Sequence, residues 1–205
     1  VAKDEEELIR TTFAKAHSWE PDFLAIWNMD YDIPKIIERL KFLGIAPEDV
    51  LCDPRVPPEF RRCKYKRGPE KKTTASGKTQ PISMAARWHT LELTASFYVI
   101  DAMCSFKHIR SQDQELPSYA LDAILMLKLN YTKLKLPEAD GYSGLAWHQF
   151  MQENYKIEYG VYGLFDSLSM VELDEVTLDL RSTLPDSSKT SDFSSFKSQP
   201  KRISD

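Results

Sequence analysis

Apolar and polar positions repeat along this chain with two periods, and the switches between them outline its elements. Asp4 followed three residues on by Glu7 has the spacing of a capping box. It opens a helix expected to bury Leu8, Ile9, Phe13 and Ala16. Phe23 to Trp27 is a continuous apolar run of strand length, which suits a strand covered on both faces. Asn28 to Asp32 lead to Pro34, a residue favoured at the first helical position, so Asp32 stands where an N-cap would. Ile36, Ile37, Leu40 and Leu43 give the next helix its stripe, and Gly44 ends it. Phe97 to Ile100 predict a second buried strand ending at Asp101, with a helix near 104–109. Ser118, after Pro117, predicts an N-cap ahead of Leu121, Ile124, Leu125 and Leu127. Leu145, Phe150 and Met151 mark a short helix. The last strong helix is read over 158–173, packed through Tyr159, Tyr162, Leu168, Val171 and Leu173. Strands alternating with helices place the chain in the α/β class.

Residues 51–82 break this pattern. They are rich in Pro, Lys and Arg, have no helical period, and contain a Ser76-Gly77-Lys78 turn signal, which predicts a hairpin or long loop. From Arg55 to Lys78 there are nine basic residues against Glu59 and Glu70 alone, in a chain whose net charge is −4. A concentrated basic block on an acidic protein points to contact with a polyanion at one place; the competing reading is a solvated loop.

Composition excludes several classes. At 205 residues the chain is long enough for one ordinary domain with a core, and 42% hydrophobic with 28% charged residues is a globular balance. No apolar run reaches the ~20 residues of a membrane span, so no membrane partner is expected. Cys52, Cys63 and Cys104 lack paired spacing and read as reduced thiols of a cytoplasmic protein. His17, His89, His108 and His148 form no zinc pattern. The candidate chemistry therefore rests on carboxylates. Asp166 lies four residues after Tyr162, one helical turn away, so hydroxyl and carboxylate share a face. With Asp32 they offer two separated carboxylates and a phenol, as a metal-dependent phosphodiesterase requires. Taken singly, Asp32 is equally a helix cap, Tyr162 a core residue, Asp101 a structural strand end and Asp122 a partner of a helix dipole.

Four ordered segments carry a resemblance. Trp27-Asn-Met-Asp-Tyr-Asp-Ile-Pro34 is similar to the Exo II motif of family B DNA polymerases, and Tyr162-Gly-Leu-Phe-Asp166 to their Exo III motif. Between them, Val99-Ile-Asp101 and Leu116-Pro-Ser-Tyr-Ala-Leu-Asp122 resemble the intervening strand and helix start, and Lys135-Leu-Pro137 to Gly141 resembles the phage replicative branch. Order and spacing agree over residues 4–180. The resemblance implies a ribonuclease-H-like 3′–5′ proofreading exonuclease over 1–180, with 55–82 as a basic hairpin insertion and 181–205 as a linker or the start of a polymerase region. It implies two Mg²⁺ ions, with Mn²⁺ as a substitute, held by four carboxylates. Asp32 and Asp166 would be two of these ligands, Tyr162 would position the attacking water, and Asn28 and Tyr31 would meet the terminal nucleotide. Arg61, Arg62, Lys64, Lys66, Arg67, Lys71 and Lys72 would contact DNA phosphates, and Tyr65 would stack on an unpaired base. The implied partners are a single-stranded primer end or primer-template, the polymerase domains of the same protein and a sliding clamp, in the cytoplasm of a host cell. The family's Exo I motif, Asp-x-Glu on a first strand, is missing: Asp4-Glu5-Glu6 matches literally but sits in a solvated helix start. The first strands and the palm motifs are thus expected outside this sequence, and the chain alone is expected to be inactive. The rival expectations are a nucleic-acid-binding module without chemistry and a stand-alone exonuclease acting on RNA.

Overall fold

A computed structural model describes residues 2–183. About 53% of them are helical and 12% lie in strands, and every sheet among the described residues has two strands, so the class is mixed α/β. Residues up to Gln114 form one compact unit and Glu115–Ser182 a second. The segment read as a linker lies, from 184 on, outside the described residues.

The first unit opens with α1 (Glu5–Trp19). Asp4 Oδ1 accepts the Glu7 N–H at 2.8 Å, but the reciprocal half of the capping box is absent because the Glu7 carboxylate takes the Lys3 N–H instead. Phe13 and His17 are buried, with Ile9 and Ala16 packed at the margin of the core. Leu8, expected inside, is 56% exposed, since it stands about 100° round the helix from Ile9.

The chain continues through β1 (Phe23–Ile26), α2 (Met29–Phe42), the single turn α3 (Glu48–Leu51), β2 (Cys63–Lys66), β3 (Lys71–Thr73), β4 (Thr79–Pro81), β5 (Thr90–Leu93), β6 (Tyr98–Asp101) and α4 (Ala102–Ile109). Strand β1 runs parallel to β6, from Phe23 opposite Tyr98 to Ile26 opposite Asp101. All four β1 residues are half-buried, not covered on both faces as expected, and β6 is the strand paired with β1 among the described residues. Helix α2 begins five residues before Pro34. Asn28, not Asp32, is its N-cap, and Pro34 lies inside the helix, where its missing N–H leaves the Asp30 carbonyl without its usual donor. Met29, Ile33 and Leu40 are its buried face, and they join Phe13, Leu51, Leu91, Leu93, Phe97 and Val99 in one core. Gly44 ends the helical stretch at φ +74°, as its position predicts.

The basic segment forms two antiparallel pairs. Strand β2 pairs with β5, and within that connection β3 and β4 make a hairpin closed by Thr74 to Lys78, where Gly77 takes φ +79°. Gly68, at the exit of β2, is buried against the backbone of Arg87 and Trp88: a Cβ on it would lie 2.3 Å from the Arg87 carbonyl oxygen. Only glycine permits that approach.

The second unit is helical: α5 (Leu121–Leu129), α6 (Gly144–Asn154), α7 (Lys156–Thr177) and the short α8 (Asp179–Thr183). Helix α5 starts later than Ser118 suggests. The Ser118 hydroxyl accepts the Ala120 N–H in a local turn, so Ala120 becomes the N-cap position. Leu121, Ile124 and Leu125 are buried, while Leu127 is exposed. On α7, Leu173 is buried as expected, but Leu168 and Val171 are not. They belong to an exposed seam with Ile157, Val161 and Leu164, spaced alternately four and three residues apart, each at least half exposed.

Candidate functional site

Tyr162 and Asp166 share one face of α7, as their spacing requires. The Tyr162 ring packs on Trp147 of α6, with centroids 5.0 Å apart, which orients the phenol. Asp166 Oδ2 receives the ammonium of Lys133, from the loop after α5, at 2.5 Å, and the same ammonium lies 5.7 Å from the Tyr162 ring centroid. Asp166 Oδ1 is buried and has no hydrogen-bond partner among the described residues. Burial pulls the Lys133 ammonium down, but its hydrogen bond to Asp166 and the charge of that carboxylate outweigh the penalty, leaving its pKa above the usual lysine value. The Tyr162 phenol is pushed up, first by burial and then by the Asp166 charge, although Lys133 opposes the shift. Lys133 is the member of this group that sequence reading missed: it lies 33 residues from its partner, in a loop with no motif of its own.

Asp122, four residues past Ser118, accepts the Lys133 N–H at 2.6 Å. It therefore fixes the backbone that carries the ammonium.

The first unit has a constellation of its own. Parallel strands β1 and β6 end side by side, at Ile26 and Asp101, and a cavity of about 200 Å³ lined by Asn28 and Asp101 opens at that end. Open α/β sheets take ligands at the carboxyl ends of their strands. Asp101 is buried, and its carboxylate accepts the Cys104 N–H at 2.9 Å and the His89 N–H at 3.2 Å, so it caps α4. Burial pushes its pKa up, against the pull of those two N–H groups. Asp30 accepts the Tyr65 hydroxyl at 2.9 Å and pairs with Arg67 at 3.0 Å. The Tyr65 oxygen also lies 2.9 Å from His89 Nδ1, with the two rings stacked at 4°. Burial and the Asp30 contact raise the Tyr65 pKa. Tyr65, expected to stack on a base, has its hydroxyl in an internal network and its ring beside His89. Asp30 and His89 are residues that sequence reading passed over.

Of the residues expected at the terminal nucleotide, Asn28 lines this cavity and is exposed, without a side-chain cap bond to α2. Tyr31, on the first turn of α2, is 60% exposed, and Asp32 beside it is half-buried. The basic residues divide into two groups. Arg61 turns inward, bonded to the Val56 and Pro54 carbonyls; Lys66 pairs with Glu92, and Arg67 with Asp30. Arg62, Lys64, Lys71 and Lys72 are exposed, with no carboxylate partner among the described residues. Lys71 and Lys72 both lie on β3 of the hairpin. The three thiols are buried or half-buried, and burial raises all of them, Cys63 to about 12.

Among the described residues no group of three or more His, Cys, Asp or Glu side chains is gathered to hold a metal, and no helix is long and apolar enough to cross a membrane. No family model matches the chain, and no curated protein is significantly similar to it.

Proposed function

We propose that this chain is the proofreading 3′–5′ exonuclease segment of a family B, phage-type DNA polymerase, which hydrolyses the 3′-terminal phosphodiester of single-stranded primer ends in the cytoplasm of a host cell. The observation that supports this best is Asp166. It stands one turn from a phenol and carries a buried oxygen with no donor, while a cation already holds its other oxygen. Leaving a carboxylate oxygen buried without a partner is costly, and a divalent cation would satisfy it. The Asp166 carboxylate is a hard oxygen donor, as is that of Asp32, and each by itself fits magnesium, with manganese in its place. Two further carboxylates belong, on this reading, to an Asp-x-Glu strand N-terminal to α1.

Bound magnesium would supply a water of lowered pKa and stabilise charge on the leaving 3′ oxygen. The chain's own residues do the rest. Tyr162, with a pKa above the ordinary tyrosine value, keeps its proton at neutral pH and so can donate to and orient a water beside Asp166. Lys133 stays charged and holds the carboxylate in one rotamer. The exposed lysines of the hairpin supply contact to phosphates without sequence preference, and Asn28 presents an amide beside the primer end.

A second reading is favoured by the Lys133–Asp166 pair itself. A carboxylate neutralised by an internal lysine suits a nucleic-acid-binding module that keeps the fold without chemistry. Magnesium-dependent degradation of labelled single-stranded DNA by the protein expressed from its whole gene separates the two. On the exonuclease reading, Asp166→Ala and Tyr162→Phe abolish or sharply slow the reaction while DNA binding persists. A wild-type protein that binds DNA but never degrades it supports the module.

A further inference from the structure

We infer that the cavity at the ends of β1 and β6 is a nucleotide site, taking a phosphate on Arg87 and a base against methionine side chains. The inference deepens the exonuclease reading, since it assigns to that protein a place where a single nucleotide unit is held. The cavity's apolar lining is supplied by the buried Trp27 and Met29 and the half-buried Met84 and Met103. Thioethers are soft, adaptable partners for a flat aromatic ring.

The charges select the other end of the ligand. Three carboxylates line the cavity and each has a partner: Asp101 has two backbone N–H groups, Asp30 has Tyr65 and Arg67, and the exposed Glu70 lies 3.9 Å from Arg67. Arg87 uses only Nε, on the Ile82 carbonyl at 2.9 Å. Its two Nη groups have no acceptor among the described residues. A guanidinium anchored through Nε and open at both Nη atoms is arranged for bidentate contact with a phosphate. Lys107 lines the same cavity, its Nζ 3.1 Å from Met103 Sδ, and adds positive charge beside the base-binding wall. Cation and thioether thus adjoin, as the phosphate and base of one nucleotide do. The Asn28 amide at the rim offers both a donor and an acceptor to a base edge.

The test is calorimetric titration of the full-length protein with thymidine 5′-monophosphate, thymidine and inorganic phosphate, in EDTA so that no divalent metal contributes. The monophosphate is expected to bind saturably, and more tightly than either thymidine or phosphate. Arg87→Ala should weaken it by about tenfold or more, the loss of a charged hydrogen-bonded pair. Should Arg87→Ala fail to fold, Arg87→Lys keeps the charge and loses the fork, and is expected to bind several-fold more weakly. Absence of saturable monophosphate binding overturns the inference, as does unchanged affinity in the folded Arg87 variant. Asp166→Ala should bind the monophosphate like wild type. If Asp166→Ala also degrades DNA normally, the exonuclease reading falls while the nucleotide site stands.

Discussion

Replacing Gly68 with alanine tests the packing that holds the basic hairpin to the cavity. An added Cβ would lie 2.3 Å from the Arg87 carbonyl oxygen, 2.5 Å from the Arg87 carbonyl carbon and 3.0 Å from the Trp88 carbonyl oxygen. All three neighbours are backbone, so no rotamer change relieves the overlap. Segments on either side must part by about 1 Å, and Gly68 also donates its N–H to His89 Nδ1 at 3.2 Å, a bond that this movement stretches. Overpacking of this kind costs about 3 kcal/mol. Against a total stability of roughly 5–15 kcal/mol, that lowers the urea midpoint by about 1–2 M. Gly77→Ala is the control, because at φ +79° it meets nothing within 4 Å and bears only backbone strain, about 1 kcal/mol. Urea unfolding followed by far-ultraviolet circular dichroism measures both. If Gly68→Ala loses no more stability than Gly77→Ala, the close approach between the exit of β2 and the entry of β5 is refuted.

Hydrogen bonds from Arg55, which outweigh burial, hold the Asp53 carboxyl below its usual range. A folded pKa below the unfolded value means stability that is present above about pH 4 and lost as pH falls through the folded pKa, so acid unfolding of Asp53→Asn should show a shallower pH dependence than wild type. The raised thiols predict that native protein at pH 8 resists alkylation by iodoacetamide at Cys52, Cys63 and Cys104, and that all three react once urea unfolds it. Lys64, Lys71 and Lys72 changed together to glutamine should reduce the slope of log affinity for single-stranded DNA against log salt by about 2. Arg61→Gln, which breaks internal contacts, should leave that slope unchanged and cost stability.

What could be read from the sequence was local. The Asp4 cap, the Gly44 stop, the strand ending at Asp101 and the turn at Gly77 each depend on a few adjacent residues whose backbone preferences agree. Asp32 was misplaced because Pro34 is a strong signal for a helix start, yet burial of Met29 and Ile33 draws the helix back to Asn28. Tertiary packing outweighed the preference of one proline. Leu168 and Val171 have helical spacing, but spacing cannot say which side of a helix finds a neighbour. The site partners were the least legible. Tyr65 meets Asp30 across 35 residues and Lys133 meets Asp166 across 33, and neither pairing leaves a local periodicity. Tyr162 and Asp166 were visible because one helical turn joins them.

On the exonuclease reading, Asp166 serves phosphodiester hydrolysis. That role is checked by following magnesium-dependent shortening of a 5′-labelled single-stranded oligonucleotide by the protein expressed from its whole gene, beside its Asp166→Ala variant. Loss of shortening by about a hundredfold or more, with oligonucleotide binding and the thermal midpoint retained, is the predicted result. Equal shortening by wild type and Asp166→Ala would contradict it.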